Sequence, residues 1–349
     1  MQAVIASAYP ALCKIQGSVH GRRVGGGSGF VVTESGVVVT NDHVLSSLLA
    51  AGCSEILAVF DDGRVFPLEA LASDKEADVA LGRLLAPPGS RFHALTFASS
   101  DSLRRGDPVV VLGAPLGGSL VPSVGVVGGN RYVSDDELMS SVLRAQVDWN
   151  LLQVDSSMSS GSSGGPILNA QGHVIAVSVL VQTTGGMGVG SLNYGVASDQ
   201  VWPIVLQLCR EGRVTRGAVG LDIVLLDAHA AGKEAAASGV QLLPPLEQLG
   251  GSGGMPYPTG LLITSVLPGK PGQAAGLAEG DVLLEINGQR CVRKGTFFHA
   301  LGPVYQPGRV LQCLVWRPGK PGGRGGELFT ATMTPAPRGQ VRQGRGVRG

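Results

Sequence analysis

The sequence predicts a mainly β protein with two domains, the first of them an all-β barrel or sandwich. Its 349 residues are enough for two domains of ordinary size. Its 54 glycines and frequent valine runs favour many short strands joined by tight turns. From residue 11 to about 197 the apolar runs never alternate with helical patterns, so a parallel doubly wound sheet is not expected.

Composition argues against several classes of function. Charged residues make up 15% of the chain and the formal net charge is +1, so no overall charge draws it to nucleic acid or to an anionic membrane. No segment reaches the roughly 18 uninterrupted apolar residues of a membrane helix. We therefore expect neither nucleic acid nor a membrane as a partner.

The five cysteines are scattered, and none forms a C-x-x-C pair. This pattern argues against a disulfide framework and against a metal site of paired thiolates. The N-terminus lacks the basic start and long apolar run of a signal peptide. We therefore expect free thiols in a reducing compartment, or an organelle whose targeting segment is missing from this chain.

The elements of the first domain follow from apolar runs and turn signals. "ESG" and "AQG" lie between Val/Ile-rich runs, where hairpin turns are expected. A linking helix is predicted over 199–216, because apolar residues recur there at helical spacing. Asp199 can cap its start, Pro203 suits its first turn and Gly212 can end it. The domain itself is predicted to span 1–198.

A second domain is predicted over 217–335. It begins with "AVGLDIVLL", continues through a flexible insert near 227–258 and "GLLITSVLPGKPGQAAGLAEGDVLLEINGQ", and closes with the strands "VLQCLVW" and "LFTATMT". The remaining residues, 336–349, carry four arginines, no acid and no apolar run, so they are predicted to be a disordered tail. RNA binding by this tail is a remote alternative to a solvated segment.

Five serines crowd the stretch "SMSSGSSGGPILN", and the question is whether one of them is a nucleophile. A serine hydroxyl needs a base to take its proton and a third group to orient that base. His43 directly follows a valine strand, and Asp78 directly precedes an apolar run. The chain order histidine, aspartate, serine is one of the three known for catalytic triads. The spacing leaves open which serine completes the set.

The motifs in this order resemble those of the HtrA (Deg) family of trypsin-like serine proteases with a PDZ domain. The resemblance covers roughly residues 10–335 and is carried by "GSGFVV", "VTNDHVL", "DKEADVALGRL", "DPVVVLGAPLG", "LLQVDSS", "GSSGGPILNAQGHVIAV" and "LNYGVAS". It implies a chymotrypsin-like double β-barrel of two six-stranded barrels with the active site between them, followed by a small α+β PDZ domain.

The resemblance assigns roles residue by residue. His43 matches the base, Asp78 the orienting acid and Ser163 the nucleophile, which is the serine of Gly-x-Ser-Gly-Gly-Pro. The backbone N–H groups of Gly161 and Ser163 would form the oxyanion hole. Met158 would line the substrate pocket, which predicts cleavage after small or medium aliphatic residues. No metal or cofactor is implied.

Two positions depart from the family pattern. Asp42 stands where the family usually has alanine, and Ser162 stands where it usually has asparagine. Neither residue transfers the proton, so activity is still expected. The extra charge beside His43 is expected to alter its basicity.

In the second domain, Val219, Gly220 and Leu221 match the loop with which a PDZ domain binds a terminal carboxylate. The alternative is that "AVGL" is simply the entry to a strand. A helix within "KGTFFHALGPV" is expected to form the other side of the peptide pocket, with Phe297, Phe298 and Leu301 available.

The resulting hypothesis is an ATP-independent serine endopeptidase acting on unfolded or damaged proteins. C-terminal peptides are its expected second partner, and a homo-oligomer is the other, with a trimer as the form that the family resemblance implies. The alternative hypothesis is a catalytically weak or inactive peptide-binding, chaperone-like scaffold. Labelling of Ser163 by a fluorophosphonate would discriminate between the two.

Overall fold

The structure, a computed structural model, describes residues 1–132, 150–179, 193–227, 259–319 and 326–338. The chain divides into two units, Met1–Val214 and Thr215–Gly349. The predicted insert lies outside the described residues from 228 onward, and the predicted tail lies outside them from 339 onward. Within the described ranges, no helix is both long and apolar enough to cross a membrane.

Six strands of the first unit close into a barrel, in the order β1-β2-β3-β6-β5-β4. They are β1 (Leu12–Val19), β2 (Arg22–Val31), β3 (Val37–Thr40), β4 (Glu55–Phe60), β5 (Val65–Asp74) and β6 (Val79–Leu84). Helix α1 (Gln2–Ala8) precedes the barrel, and helix α2 (Asp42–Ala50) follows β3. The predicted "ESG" turn joins β2 to β3, which pair antiparallel.

A second closed barrel of six strands follows in the same unit, in the order β10-β11-β12-β9-β8-β7. Its strands are β7 (Pro108–Gly113), β8 (Val121–Tyr132), β9 (Asn150–Asp155), β10 (Pro166–Leu168), β11 (Val174–Val179) and β12 (Asn193–Ala197). The predicted "AQG" turn joins β10 to β11. The prediction of two six-stranded barrels is confirmed.

Helix α3 (Ser198–Glu211) belongs to the first unit, and this corrects the prediction of a linking helix over 199–216. Its apolar face is buried and contacts strands of both barrels. Gly212 ends the helix in the left-handed conformation, as predicted. Asp199 lies in the first turn rather than capping it. The Asp199 carboxylate instead accepts the N–H and hydroxyl of Ser100, each at 2.7 Å.

The second unit is built on one antiparallel sheet in the order β14-β15-β16-β18-β19. Its strands are β13 (Gly217–Ala218), β14 (Leu221–Asp227), β15 (Thr259–Val266), β16 (Val282–Ile286), β17 (Gln289–Arg290), β18 (Leu311–Pro318), β19 (Gly326–Met333) and β20 (Ala336–Pro337). Helices α4 (Pro271–Ala274) and α5 (Lys294–Leu301) complete it. The helix predicted within "KGTFFHALGPV" is present as α5, whereas Phe297, which was predicted to be available to the peptide pocket, packs in the core of this unit.

The start of the predicted tail is ordered. β20 pairs with β13, so that Ala336 lies opposite Ala218 and Pro337 opposite Gly217. The Arg338 N–H donates to the Arg216 carbonyl at 2.7 Å. The second unit therefore extends beyond the predicted end at residue 335, because its last residues complete a small sheet with its first.

Candidate active site

The first barrel brings His43 and Asp78 together. His43 lies in the first turn of α2, and Asp78 lies in the turn that leads into β6. The Nδ1 of His43 is 2.7 Å from Asp78 Oδ2, and the backbone N–H of His43 donates to Asp78 Oδ1 at 2.9 Å. Because an ionised carboxylate can only accept, Nδ1 carries the ring proton and Nε2 is left as a base.

The environment makes His43 more basic than a free imidazole. Burial alone lowers the pKa of His43, but the hydrogen bond to Asp78 and the charges of Asp78 and Asp42 outweigh it, so the pKa is raised above its ordinary value. The charge of Asp42 raises the pKa of His43, which gives the direction of the effect expected from the sequence. About half of the His43 side chain is exposed (51%), whereas Asp78 is buried.

The turn that carries Asp78 is held in a strained conformation. Asp78 has a φ of 53°, in the left-handed region that residues other than glycine rarely adopt. The Asn41 side-chain amide donates to the Asp78 carbonyl at 2.9 Å. Two contacts from the segment around His43 therefore fix the acid from both its side chain and its main chain.

Ser163 lies in the loop between β9 and β10 of the second barrel, where its residue is buried. This loop approaches the segment that carries His43. A Cβ at Gly164 would lie 2.3 Å from Thr40 Oγ1, and one at Gly27 would lie 2.7 Å from Val44 and 2.9 Å from the Ser163 carbonyl oxygen. The fold thus brings the predicted nucleophile to the same corner as the predicted base.

Four successive carbonyl groups of the nucleophile loop, residues 160–163, are each held by a donor outside the loop. The Ser160 carbonyl accepts the Leu116 N–H at 2.6 Å, and the Ser163 carbonyl accepts the Ser28 N–H at 2.8 Å. The Gly161 carbonyl accepts the Ser28 hydroxyl at 2.7 Å, and the Ser162 carbonyl accepts the Ser178 hydroxyl at 2.6 Å. The main chain of the loop is therefore anchored at four successive residues by the surrounding barrel segments.

The anchored carbonyls determine where the neighbouring N–H groups point. In a trans peptide the carbonyl and the N–H point in opposite directions. The N–H groups of Gly161 and Ser163, predicted to bind the oxyanion, therefore point away from the anchors of Ser160 and Ser162. Gly161 has a φ of 94°, and a Cβ there would lie 2.4 Å from the Ala114 oxygen, so only glycine fits.

Met158 lies in the same loop and is partly buried against the apolar core of the second barrel. Asp155 is exposed at the end of β9. The family resemblance places the opposite wall of the substrate pocket within residues 179–195, of which 180–192 lie outside the described residues.

In the second unit, Val219 and Gly220 of the predicted carboxylate loop lie between β13 and β14, and Leu221 is the first residue of β14. The Val219 carbonyl accepts Gly272 N–H at 2.8 Å, and the Gly220 carbonyl accepts Leu267 N–H at 2.9 Å. The N–H groups of Gly220 and Leu221 therefore point away from these contacts, by the same geometry as in the nucleophile loop. Helix α5 contacts β14, which is the arrangement expected for a peptide groove.

Three buried hydroxyls beside the nucleophile loop, those of Ser28, Thr40 and Ser178, were not predicted from the sequence. Ser28 stands within the "GSGFVV" segment, but the segment alone gives no reason for its hydroxyl. Each contact depends on a neighbour that the fold brings near, such as Gly161, 133 residues from Ser28. No local pattern of residues signals a pairing over such a separation.

Two family models match the chain. A trypsin-like peptidase domain matches residues 27–177, and a PDZ domain matches residues 240–293. The first match includes Asp78 and Ser163 as well as His43. The second begins after the predicted carboxylate loop, so it does not reach residues 219–221.

Curated relatives and solved structures point to the same family. A protein of Halomonas elongata is 30% identical over 295 residues, covering 84% of this chain and 54% of the relative, and one of Chlamydia pneumoniae is 28% identical over 298 residues, covering 84% and 53%. Both are described as probable periplasmic serine endoprotease DegP-like. The HtrA-type protease AlgW with tripeptide superposes with a TM-score of 0.68 at 21% identity, over 97% of each protein.

The chain belongs to the HtrA/Deg family. The matching peptidase and PDZ models, together with the DegP-like relatives, decide this. The mainly β fold with a chymotrypsin-like double barrel and a C-terminal PDZ domain agrees with it. The chain spans about half the length of the curated relatives it matches.

The prediction of a reducing compartment is wrong, since the curated relatives are described as periplasmic. The prediction used the five free cysteines as its argument, but three of them, Cys13, Cys291 and Cys313, are buried. Burial raises the pKa of Cys13 to about 12, and burial also raises that of Cys291 to about 12 and that of Cys313 to about 11. Thiols held in this way form little thiolate and react slowly, so their free state requires no reducing surroundings.

Proposed function

We propose that this protein is a serine endopeptidase in which His43, Asp78 and Ser163 form the catalytic triad. The observation that carries the proposal is the 2.7 Å contact between His43 Nδ1 and Asp78 Oδ2, made beside an anchored nucleophile loop. A base oriented by a buried carboxylate activates a serine hydroxyl for acyl transfer.

The proposed reaction is acyl transfer through a covalent intermediate. Ser163 Oγ attacks the scissile carbonyl carbon while His43 Nε2 takes its proton, and Asp78 stabilises the imidazolium that forms. The N–H groups of Gly161 and Ser163 bind the oxyanion of the tetrahedral intermediate. His43 then returns the proton to the leaving amine, and a water molecule, activated by the same base, releases the acyl group from Ser163.

We propose unfolded or damaged proteins as substrates, cleaved without ATP, and the C-termini of polypeptides as the ligands of the second unit. The support is family membership, the DegP-like relatives and a loop of anchored carbonyls at Val219 and Gly220. A homotrimer is part of the same proposal. Light scattering on the purified protein tests it, and a monomer at micromolar concentration contradicts it.

The test of the catalytic assignment uses four single substitutions. Ser163→Ala removes the nucleophile and should lower casein hydrolysis by a factor of about 10⁴ or more. Ser159→Ala, Ser160→Ala and Ser162→Ala are matched controls from the same loop, and each should keep most of the activity. A Ser163→Ala protein that cleaves casein at the wild-type rate would refute the assignment.

A further inference from the structure

We propose that two buried serines outside the triad, Ser28 and Ser178, are positioning residues that fix the oxyanion-binding N–H groups of Gly161 and Ser163. The proposal rests on the function proposed above. Neither hydroxyl is assigned a part in the reaction itself. Each instead holds a carbonyl of the nucleophile loop. That carbonyl lies either in the same peptide plane as an oxyanion-binding N–H or in the adjacent plane.

Ser178 acts on the peptide between Ser162 and Ser163. It lies in β11 and is fully buried, and its hydroxyl donates to the Ser162 carbonyl at 2.6 Å, with the Gly165 carbonyl 3.0 Å away. The main chain of Ser178 also bonds the loop, because Gly164 N–H donates to its carbonyl at 3.0 Å. Fixing the Ser162 carbonyl fixes the Ser163 N–H on the other side of the same peptide.

Ser28 acts on the Gly161 end of the loop. Its hydroxyl donates to the Gly161 carbonyl at 2.7 Å and accepts the Ala114 N–H at 2.9 Å. One buried hydroxyl therefore joins the nucleophile loop to the segment after β7. Its position is itself set by main-chain contacts, since the Ser28 N–H donates to the Ser163 carbonyl at 2.8 Å.

The segment that Ser28 holds, after β7, also supplies the donor for the preceding carbonyl of the loop, that of Ser160. Leu116, two residues after Ala114, gives its N–H to the Ser160 carbonyl at 2.6 Å. That carbonyl shares a peptide plane with the Gly161 N–H. Ser28 thus controls the Gly161 donor from both sides, directly through the Gly161 carbonyl and indirectly through the placement of Leu116.

Loss of either hydroxyl has a specific chemical consequence. Alanine at position 28 leaves the buried Ala114 N–H without its acceptor and the Gly161 carbonyl without its donor, so the peptides on either side of Gly161 can rotate. A rotated peptide turns its N–H away from the oxyanion, and oxyanion stabilisation depends on donors that are aligned before the charge forms. The expected defect lies in the transition state and not in substrate binding.

The experiment compares Ser28→Ala and Ser178→Ala with Ser198→Ala in the 349-residue chain. Ser198 is a matched control, since it is equally buried and its hydroxyl donates to the Ala98 carbonyl at 2.6 Å, in a contact between α3 and the loop before β7. Peptide hydrolysis gives kcat and KM, active-site titration gives the folded fraction, and the melting temperature reports stability. A peptide aldehyde, which forms an oxyanion with the enzyme, reports donor alignment.

For Ser28→Ala and Ser178→Ala, kcat per titrated site should fall about 10-fold or more, toward the about 10²–10³-fold expected on outright loss of a donor. Aldehyde affinity should fall in parallel, and KM should change less than about 3-fold. Ser198→Ala should lower the melting temperature alone. If each variant loses kcat only in proportion to its titrated fraction, or if Ser198→Ala shows the same defect, the positioning role is refuted. An inactive wild-type protein would refute the proposed function, and the positioning role with it.

Discussion

At the scale of single residues, the electrostatics of the site depend on two carboxylates rather than one. Asp78 holds the His43 ring by a hydrogen bond, whereas Asp42 acts on it only through its charge, from the adjacent position in the sequence. Both favour the imidazolium form of His43, which develops when the nucleophile gives up its proton. The departure from alanine at position 42 is therefore a substitution with a chemical consequence.

The first prediction at this scale concerns pH. A general base must be unprotonated, so kcat/KM should fall as the pH decreases through the pKa of His43, which lies above the ordinary 6.5. Asp42→Ala removes one of the charges that raise this pKa, and the acid limb of the pH profile should therefore move to lower pH. The profile of kcat/KM between about pH 5 and 9 measures it.

Asp107→Asn serves as the control for this experiment, because the charge of Asp107 is not among those that shift His43. Its acid limb should coincide with that of the wild type. An acid limb that stays in place in Asp42→Ala, or moves to higher pH, would contradict the electrostatic role.

The contribution of His43 to the stability of the fold has the opposite pH dependence from its activity as a base. Because its pKa is raised in the folded state, His43 stabilises the fold fully below the unfolded-state pKa, and this stabilisation is lost as the pH rises through the folded-state pKa.

At the scale of elements, the sequence predicted candidate side chains for the site, but it did not predict the main-chain contacts around them. His43 and Asp78 were predicted from residue types in a known chain order, whereas only the family resemblance selected Ser163 among the five serines. The anchors of residues 160–163 belong to pairs such as Ser28 and Gly161, which only the closed barrels bring together. Asp199 shows the same limit, because its carboxylate serves Ser100 and not the helix start that local sequence suggested.

A prediction at this scale concerns the wall of the nucleophile loop. Met158, which packs on the core of the second barrel, is predicted to line the substrate pocket, and cleavage is therefore expected after Val, Ile, Leu or Ala in a peptide-library digest. Met158→Ala should reduce kcat/KM for such peptides about 10-fold, since pocket methylenes discriminate by about 10–200-fold. Met158→Leu, of similar volume, is the control and should stay near wild type. A preference for Lys or Arg would overturn the assignment, because a buried cation requires an acidic partner.

At the scale of the whole molecule, the two-domain organisation was predictable because strand patterns and glycine turns recur along the sequence. The boundaries of the two domains were less predictable from the sequence. Helix α3 has the sequence pattern of a connector, yet the burial of its apolar face places it with the first unit. Residues 336–338 resemble the start of a tail, but β13 supplies a partner for them 118 residues earlier in the sequence, so their order depends on tertiary pairing.

A prediction at this scale tests the second unit within the 349-residue chain, using Ser163→Ala so that the peptide is not cleaved. A peptide with an apolar, free C-terminus should bind with a roughly micromolar Kd. Its C-terminal amide should bind at least about 10-fold more weakly, because the N–H groups of the loop then lose an ionic partner. Calorimetry or fluorescence anisotropy gives both constants.

Two glycine substitutions in the second unit sharpen this test. Gly220→Ala should weaken binding of the acid form, since Gly220 has a φ of 71° and a new Cβ would lie 2.4 Å from Lys270 Cβ. Gly280→Ala is the control, because its φ of 90° carries similar strain while nothing lies within 4 Å of the new Cβ. Equal affinity for the acid and the amide would remove Val219, Gly220 and Leu221 from the proposed carboxylate site.

The contact between Leu116 and Ser160 has a consequence for the mutational tolerance of the protein. Leu116 is 84% exposed, so a replacement side chain that tolerates its φ of 55° would leave the contact intact. The contact is made by the main-chain N–H, and proline is the one residue that lacks this group. A mutational scan of activity should therefore tolerate many side chains at position 116 but not proline. Conservation of side-chain character would never reveal such a position, although the geometry of the site depends on it.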